Sequence, residues 1–183
     1  MKSLAYASVM TLALAAAATG QSSGPATAAP APRTQSDYYV PLYGVTAGIS
    51  IPVGRLADDH AAGYELGGVV EYAVSGQPYS LRGEAMVQHF ALKSGRTGDN
   101  VNLLSLGTTI VYRLQRATAQ TFVTGGIAIY NATHEGTRPG VNAGTGVEIP
   151  LTGFSAVAEL RLHVMLADAR PILALPLTVG IRF

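Results

Sequence analysis

The side chains of this chain that could do chemistry are four histidines, His60, His89, His134 and His163, and a spaced set of glutamates and arginines. An imidazole acts as a general base, or primes a nucleophile, only with a hydroxyl, thiol or carboxylate held against it. These four are scattered and carry no paired nucleophile beside them, so they read as interfacial or solvated side chains. Cysteine is absent, which removes thiolate metal ligation, a Cys nucleophile, a disulfide framework and a lipid-anchor cysteine. The sequence holds no HExxH, EF-hand spacing or glycine-rich phosphate loop. The pairs Gly67-Gly68 and Gly125-Gly126 fall within strands, where they relieve crowding or allow bends. The expectation is a non-enzyme without cofactor or metal.

The charged set is Glu65, Glu71, Arg82, Glu84, Arg113, Glu148, Glu159, Arg161 and Arg182. Each lies in a stretch whose bulky apolar residues recur at every second position, and each occupies the opposite parity. Five acids against four bases nearly neutralise one another. The other positions of that parity are mostly Gly, Ser, Thr, Ala or Asn. Two chemistries fit such a set. One is a static plug of paired charges. The other is a gate in which Arg82, Glu84, Glu159 and Arg161 rearrange to open a narrow pore, and on that reading Arg82→Ala raises conductance.

The elements that must position these residues are strands. From Ile172 to Phe183 the sequence reads ILALPLTVGIRF, with Leu173, Leu175, Leu177, Val179 and Ile181 alternating with Ala174, Pro176, Thr178, Gly180 and Arg182. That period of two is a strand, not a helix. The same design repeats at Tyr39 to Val53, Gly63 to Val74, Tyr79 to Leu92, Val101 to Leu114, Thr121 to Ala132, Val141 to Ile149 and Phe154 to Leu166. Turn chemistry fills the breaks, as in Ser75-Gly76-Gln77-Pro78 and Leu151-Thr152-Gly153. Long strands with short connections predict antiparallel neighbours in an up-and-down meander, and eight strands are enough to close. About 12 residues at about 3.3 Å each, tilted near 40°, rise about 30 Å, the thickness of a bilayer core.

The expected fold is therefore all-β, an eight-stranded antiparallel up-and-down transmembrane β-barrel. A soluble lipocalin-like barrel shares the alternation with its faces reversed. A barrel this small has little inner room, so the small residues and compact ions suit the inside, and the apolar parity would overfill it. An interior of that size has no continuous wide channel, which favours the static plug. Tyr43, Tyr72, Tyr79, Tyr112, Phe154 and Phe183 fall at one rim on the outward parity, an interfacial aromatic girdle, while Tyr64 marks the opposite rim.

Composition agrees. Gly 21 and only 13% charged residues in 183 suit a glycine-rich β-structure, and a net charge of +1 argues against nucleic acid. Lysine is confined to Lys2 and Lys93, whereas soluble sheets populate their surfaces and edges with it. Residues 1–20 read as a cleaved signal peptide, with Lys2 ahead of a stretch of about 15 apolar residues, short of the roughly 20 a spanning helix needs. Residues 21–38 read as a flexible Ala/Pro-rich segment, and residues 39–183 as the barrel.

The alternate Leu177, Val179 and Ile181 before a terminal Phe183 resemble the C-terminal signal strand of bacterial outer-membrane β-barrels, which implies recognition by the barrel-assembly machinery. From Tyr38 to Phe183 the chain resembles the small eight-stranded outer-membrane barrels of the OmpA/OmpX type. The resemblance implies a monomer in the bacterial outer membrane, in contact with its lipid and lipopolysaccharide. It also implies a periplasmic N-terminus and outer loops at Gly54 to Ala62, Lys93 to Asn100, His134 to Gly140 and Ala167 to Pro171. These loops are short beside the protruding loops that serve adhesion in such barrels. Lipid A-deacylating barrels resemble one another in a serine two residues after a rim histidine, and here those positions are Ala91 and Met165. The implied function is structural, in envelope integrity, with narrow-pore activity as an accessory. The alternatives are a binding module, either outer loops holding lipopolysaccharide or a partner or a soluble barrel for a hydrophobic ligand, and, third, a lipid A-modifying enzyme.

Overall fold

A computed structural model describes residues 41–74, 76–114, 119–133, 135–167 and 170–183. The leader at 1–20, the segment at 21–38, the first two residues of the expected opening strand, Ser75 and His134 lie outside the described residues. The elements are β1 (Leu42–Val53), α1 (Arg55–Asp59), β2 (Gly63–Ala73), β3 (Tyr79–Phe90), β4 (Val101–Arg113), β5 (Gln120–Ala132), β6 (Gly136–Pro150), β7 (Ser155–Met165) and β8 (Ile172–Arg182). The eight strands form a closed barrel in sequence order, every neighbour antiparallel.

Closure joins β1 to β8 from Gly44↔Arg182 to Val53↔Leu173. Beyond the last ladder pair, the Phe183 N–H donates to the Tyr43 carbonyl at 2.8 Å and the Tyr43 N–H to the Phe183 carbonyl at 2.9 Å. The seam needs small residues on its inner side. A Cβ added at Gly48 would lie 2.6 Å from the Thr178 Cα, closer than any side chain tolerates, so only glycine lets the two backbones approach here.

The apolar parity faces outward and the other parity inward, as alternation on a closed sheet requires. The strands match the sequence reading to within a few residues at each end except at one place. β6 begins at Gly136, ahead of the expected Val141, and its first pairs are Ala132↔Gly136 and Asn131↔Thr137. Gly136, at φ 69°, makes a tight turn out of β5. Pro139 is tolerated because it stands at the end of the β6–β7 ladder, next to Gly140↔Met165: its carbonyl still accepts from the Leu166 N–H at 2.9 Å, and its missing N–H forfeits only the last bond of the ladder. The connection at Gly54 to Ala62, expected as a plain loop, contains α1, whose Leu56 is buried.

Pro176 interrupts the sheet more deeply. The β7–β8 ladder runs to Leu160↔Leu177 and resumes at His163↔Ala174, omitting the pairs of Arg161 and Leu162. Proline has no N–H to give, and it leaves the ladder one bond short at mid-strand.

Candidate functional site

All nine charged residues picked out above lie on the inner face, because strand parity leaves them no other direction. Starting from the end where the chain terminates, Glu148 accepts from Arg113 at 3.2 Å and Arg182 at 3.3 Å. Glu71 is the hub: Arg113 donates to it at 2.6 Å, Arg182 lies at 3.1 Å and Arg82 at 3.2 Å, and Ser80 also donates to it. Arg82 continues to Glu159 at 2.9 Å, Glu159 pairs with Arg161 at 2.6 Å, and Arg161 reaches Glu84 at 2.5 Å. Thr124 and Thr109 donate to Glu159 and Glu84 at 3.2 and 2.9 Å. Eight of the nine thus form one unbroken chain of ion pairs, joining residues as far apart in sequence as Glu71 and Arg182. Glu65 stands apart, bonded to Gln88, which in turn accepts from Ser50 at 3.3 Å.

Buried ions are tolerable only when each charge is met by an opposite one and the remaining lone pairs and protons are hydrogen-bonded. The network satisfies most of them. The Arg82 and Arg182 guanidinium groups also lie 5.7 and 5.5 Å from the centre of the Phe122 ring, whose negative face attracts them. Phe122 was not singled out in the sequence. It belongs to a small apolar group with Val111 and Val157.

The interior departs from the expected small residues at its other end. Phe90, Leu103, Tyr130, Ala132, Met165, Ile172 and Ala174 pack together across the lumen, and Leu56 from α1 inserts among them. These residues share the inward parity, so the signal was present in the strand pattern: β3 ends on Phe90, β7 on Met165, and β8 begins on Ile172. α1 caps this apolar stopper. Arg55 pairs with Glu135 at 2.7 Å, Lys93 donates to the Ala57 carbonyl at 2.6 Å, and Arg96 lies 3.5 Å from Asp59. The lumen is therefore shut twice, by ions and by hydrocarbon.

The histidines are dispersed. His163, expected at a rim, is buried inside, its Nδ1 3.0 Å from the Tyr130 hydroxyl. His89 is on the outer face, 2.8 Å from the Asn102 side-chain oxygen and stacked on Tyr64 at 5.3 Å. His60 contacts the Asp99 carbonyl at 3.2 Å. No group of three or more potential metal ligands occurs among the described residues. Tyr43, Tyr72, Tyr79, Tyr112, Phe154 and Phe183 are exposed at the terminal end, and Leu177, Val179 and Ile181 are exposed along β8.

No protein-family model and no curated protein sequence matches the chain. Solved structures do. Neisserial surface protein A superposes with a TM-score of 0.61 at 15% identity, over 78% of this chain and 95% of that one. A major outer membrane protein from Thermus thermophilus gives 0.51 at 15% identity, over 79% and 99%. The outer membrane enzyme PagL gives 0.50 at 12% identity, over 79% and 99%. The fold is thus compatible with catalysis as well as with its absence. In fold, the chain is a small eight-stranded β-barrel of the outer-membrane type.

Proposed function

We infer that this chain is an integral protein of the bacterial outer membrane, exported by its leader, with a structural role in the envelope and no catalytic one. The observation that carries the reading is the apolar outer wall around an ion-paired interior. Ile127, Leu106 and Val179 are 69%, 66% and 63% exposed, whereas Glu71 and Arg82 are 1% exposed each. In water that wall would be a continuous adhesive patch, while in lipid it is the expected surface. The start of β1 and the end of β8 then face the periplasm and α1 faces outward, with the aromatic girdle at the periplasmic interface. The doubly closed lumen favours a wall over a channel. The histidines support the non-enzymatic reading: the Nδ1 of His89 engages an amide oxygen, and that of His163 a buried phenol.

Electrophoresis of the outer-membrane fraction in SDS, unboiled beside boiled, tests the reading. A band in that fraction that moves on heating is expected, because a closed barrel resists SDS until it unfolds. Recovery from the soluble periplasm with no shift overturns it. Lipid A from cells with and without the protein is expected to give identical mass spectra, and a changed acyl pattern would restore the enzyme.

A further inference from the structure

On the outer wall of β2, β3 and β4, side chains in register form rows at successive heights. Nearest the α1 end stand Tyr64↔His89 and His89↔Asn102. Below them come Leu66, Val87 and Leu104, then Gly68, Ala85 and Leu106, then Val70, Gly83 and Thr108. The first row is polar and faces outward beside an apolar wall. An amide oxygen only accepts, so His89 Nδ1 donates to Asn102 at 2.8 Å, and in the neutral imidazole Nε2 is left as an acceptor. Tyr64 stacks on this imidazole at 27°. Lys93 and Arg96, in the adjoining loop, are turned toward α1 and bonded there, so neither joins the row.

About 13 Å further down the wall, four strand residues on, lies a shallow depression of about 460 Å³ lined by Gly68, Val70, Gly83, Ala85, Leu106 and Thr108. A Cβ at Gly68 would meet nothing within 4 Å. Glycine weakens a strand and leaves no side chain to pack, and here the protein's own packing does not require it. A polar row above and a bed below, on one wall, have the shape of a single amphiphile.

We propose that this wall holds one outer-leaflet glycolipid. Its sugar hydroxyls and amides bond to His89 and Asn102, a sugar face meets Tyr64, and one acyl chain descends over Leu66, Val87 and Leu104 into the depression at Gly68 and Gly83. A row of phenol, imidazole and amide matches hydroxyl and amide groups, which a glycolipid headgroup carries in greater number than a glycerophospholipid. The assignment rests on the membrane reading above, since only then does the wall face lipid.

The test is native mass spectrometry of the full chain released from detergent micelles, titrated with lipid A and, separately, with phosphatidylglycerol. Wild type is expected to retain lipid A preferentially. His89→Ala should weaken retention about fivefold, the effect of one lost hydrogen bond. Gly68→Leu, which fills open space, should weaken it comparably, and Ala158→Leu on the opposite wall should leave it unchanged. Equal retention by all variants overturns the site, and equal retention of phosphatidylglycerol overturns the glycolipid as occupant. The same samples run unboiled and boiled separate the two claims. A sound barrel with wall-independent retention sinks only this inference, whereas a soluble protein sinks both.

Discussion

The two halves of the lumen exclude water by opposite means. At the terminal end eight ions neutralise one another in a chain from Glu148 to Glu84, while at the α1 end Phe90, Leu103, Tyr130, Met165 and Ile172 fill the same cross-section with hydrocarbon. The ionic half gains little net stability, because desolvation offsets most of the attraction, yet it tolerates the loss of a partner badly. The apolar half gains from burial directly and loses in proportion to the cavity left behind. One barrel therefore contains a region that is costly to unbalance and a region that is costly to empty.

The sharpest break in that comparison is Glu71→Ala. It strands Arg82, Arg113 and Arg182 without their shared acceptor, and urea unfolding in micelles should show a loss of about 3–5 kcal/mol. An unchanged unfolding midpoint would show that water already reaches the network. Next comes the stopper: Met165→Ala, at 1% exposure, should cost about 3 kcal/mol. Planar-bilayer conductance then separates the two closures. Arg82→Ala alone should stay closed because the stopper remains, and the triple change Arg82→Ala, Phe90→Ala and Met165→Ala should conduct. A conducting Arg82→Ala barrel would give the closure to the ions alone.

Two smaller effects probe the boundary and the cap. Pro176→Val supplies the N–H missing opposite Arg161 while nearly keeping the volume, and should stabilise by up to about 1 kcal/mol in the same unfolding assay. Destabilisation would mean that the proline ring is needed for packing beside the network. The Arg55–Glu135 pair is 38% and 32% exposed, so solvent screening limits it to about 0–1 kcal/mol. Glu135→Gln should speed amide exchange in α1 and leave the ionic half untouched, and added salt should do the same.

Much of this was legible in the sequence because a closed sheet has one variable per residue, inside or outside. The inward placement of Glu71, Arg82 and Arg161 follows from counting in twos. Their connectivity does not, since Arg82 and Glu159 are 77 positions apart and meet only because the barrel closes and sets the relative heights of β3 and β7. Phe122 under two guanidinium groups was hidden for the same reason. The stopper was hidden differently. Phe90, Met165 and Ile172 are single bulky residues at the ends of separate strands, and only closure gathers them with Leu103 and Tyr130 at one height. α1 is a single turn within a connection, too short for a helical period to show, and Leu56 is its one buried anchor.

What the sequence determined by itself was the alternation, the sign of each face and the number of strands, because these depend on side-chain direction, which repeats every two residues whatever the partner. What only the tertiary structure decided was stagger: which glutamate meets which arginine, that Leu56 reaches the mouth, and that His89, Tyr64 and Asn102 share one height. Stagger is set by register between strands, and register is a sum over many weak pairings that no single stretch of chain contains.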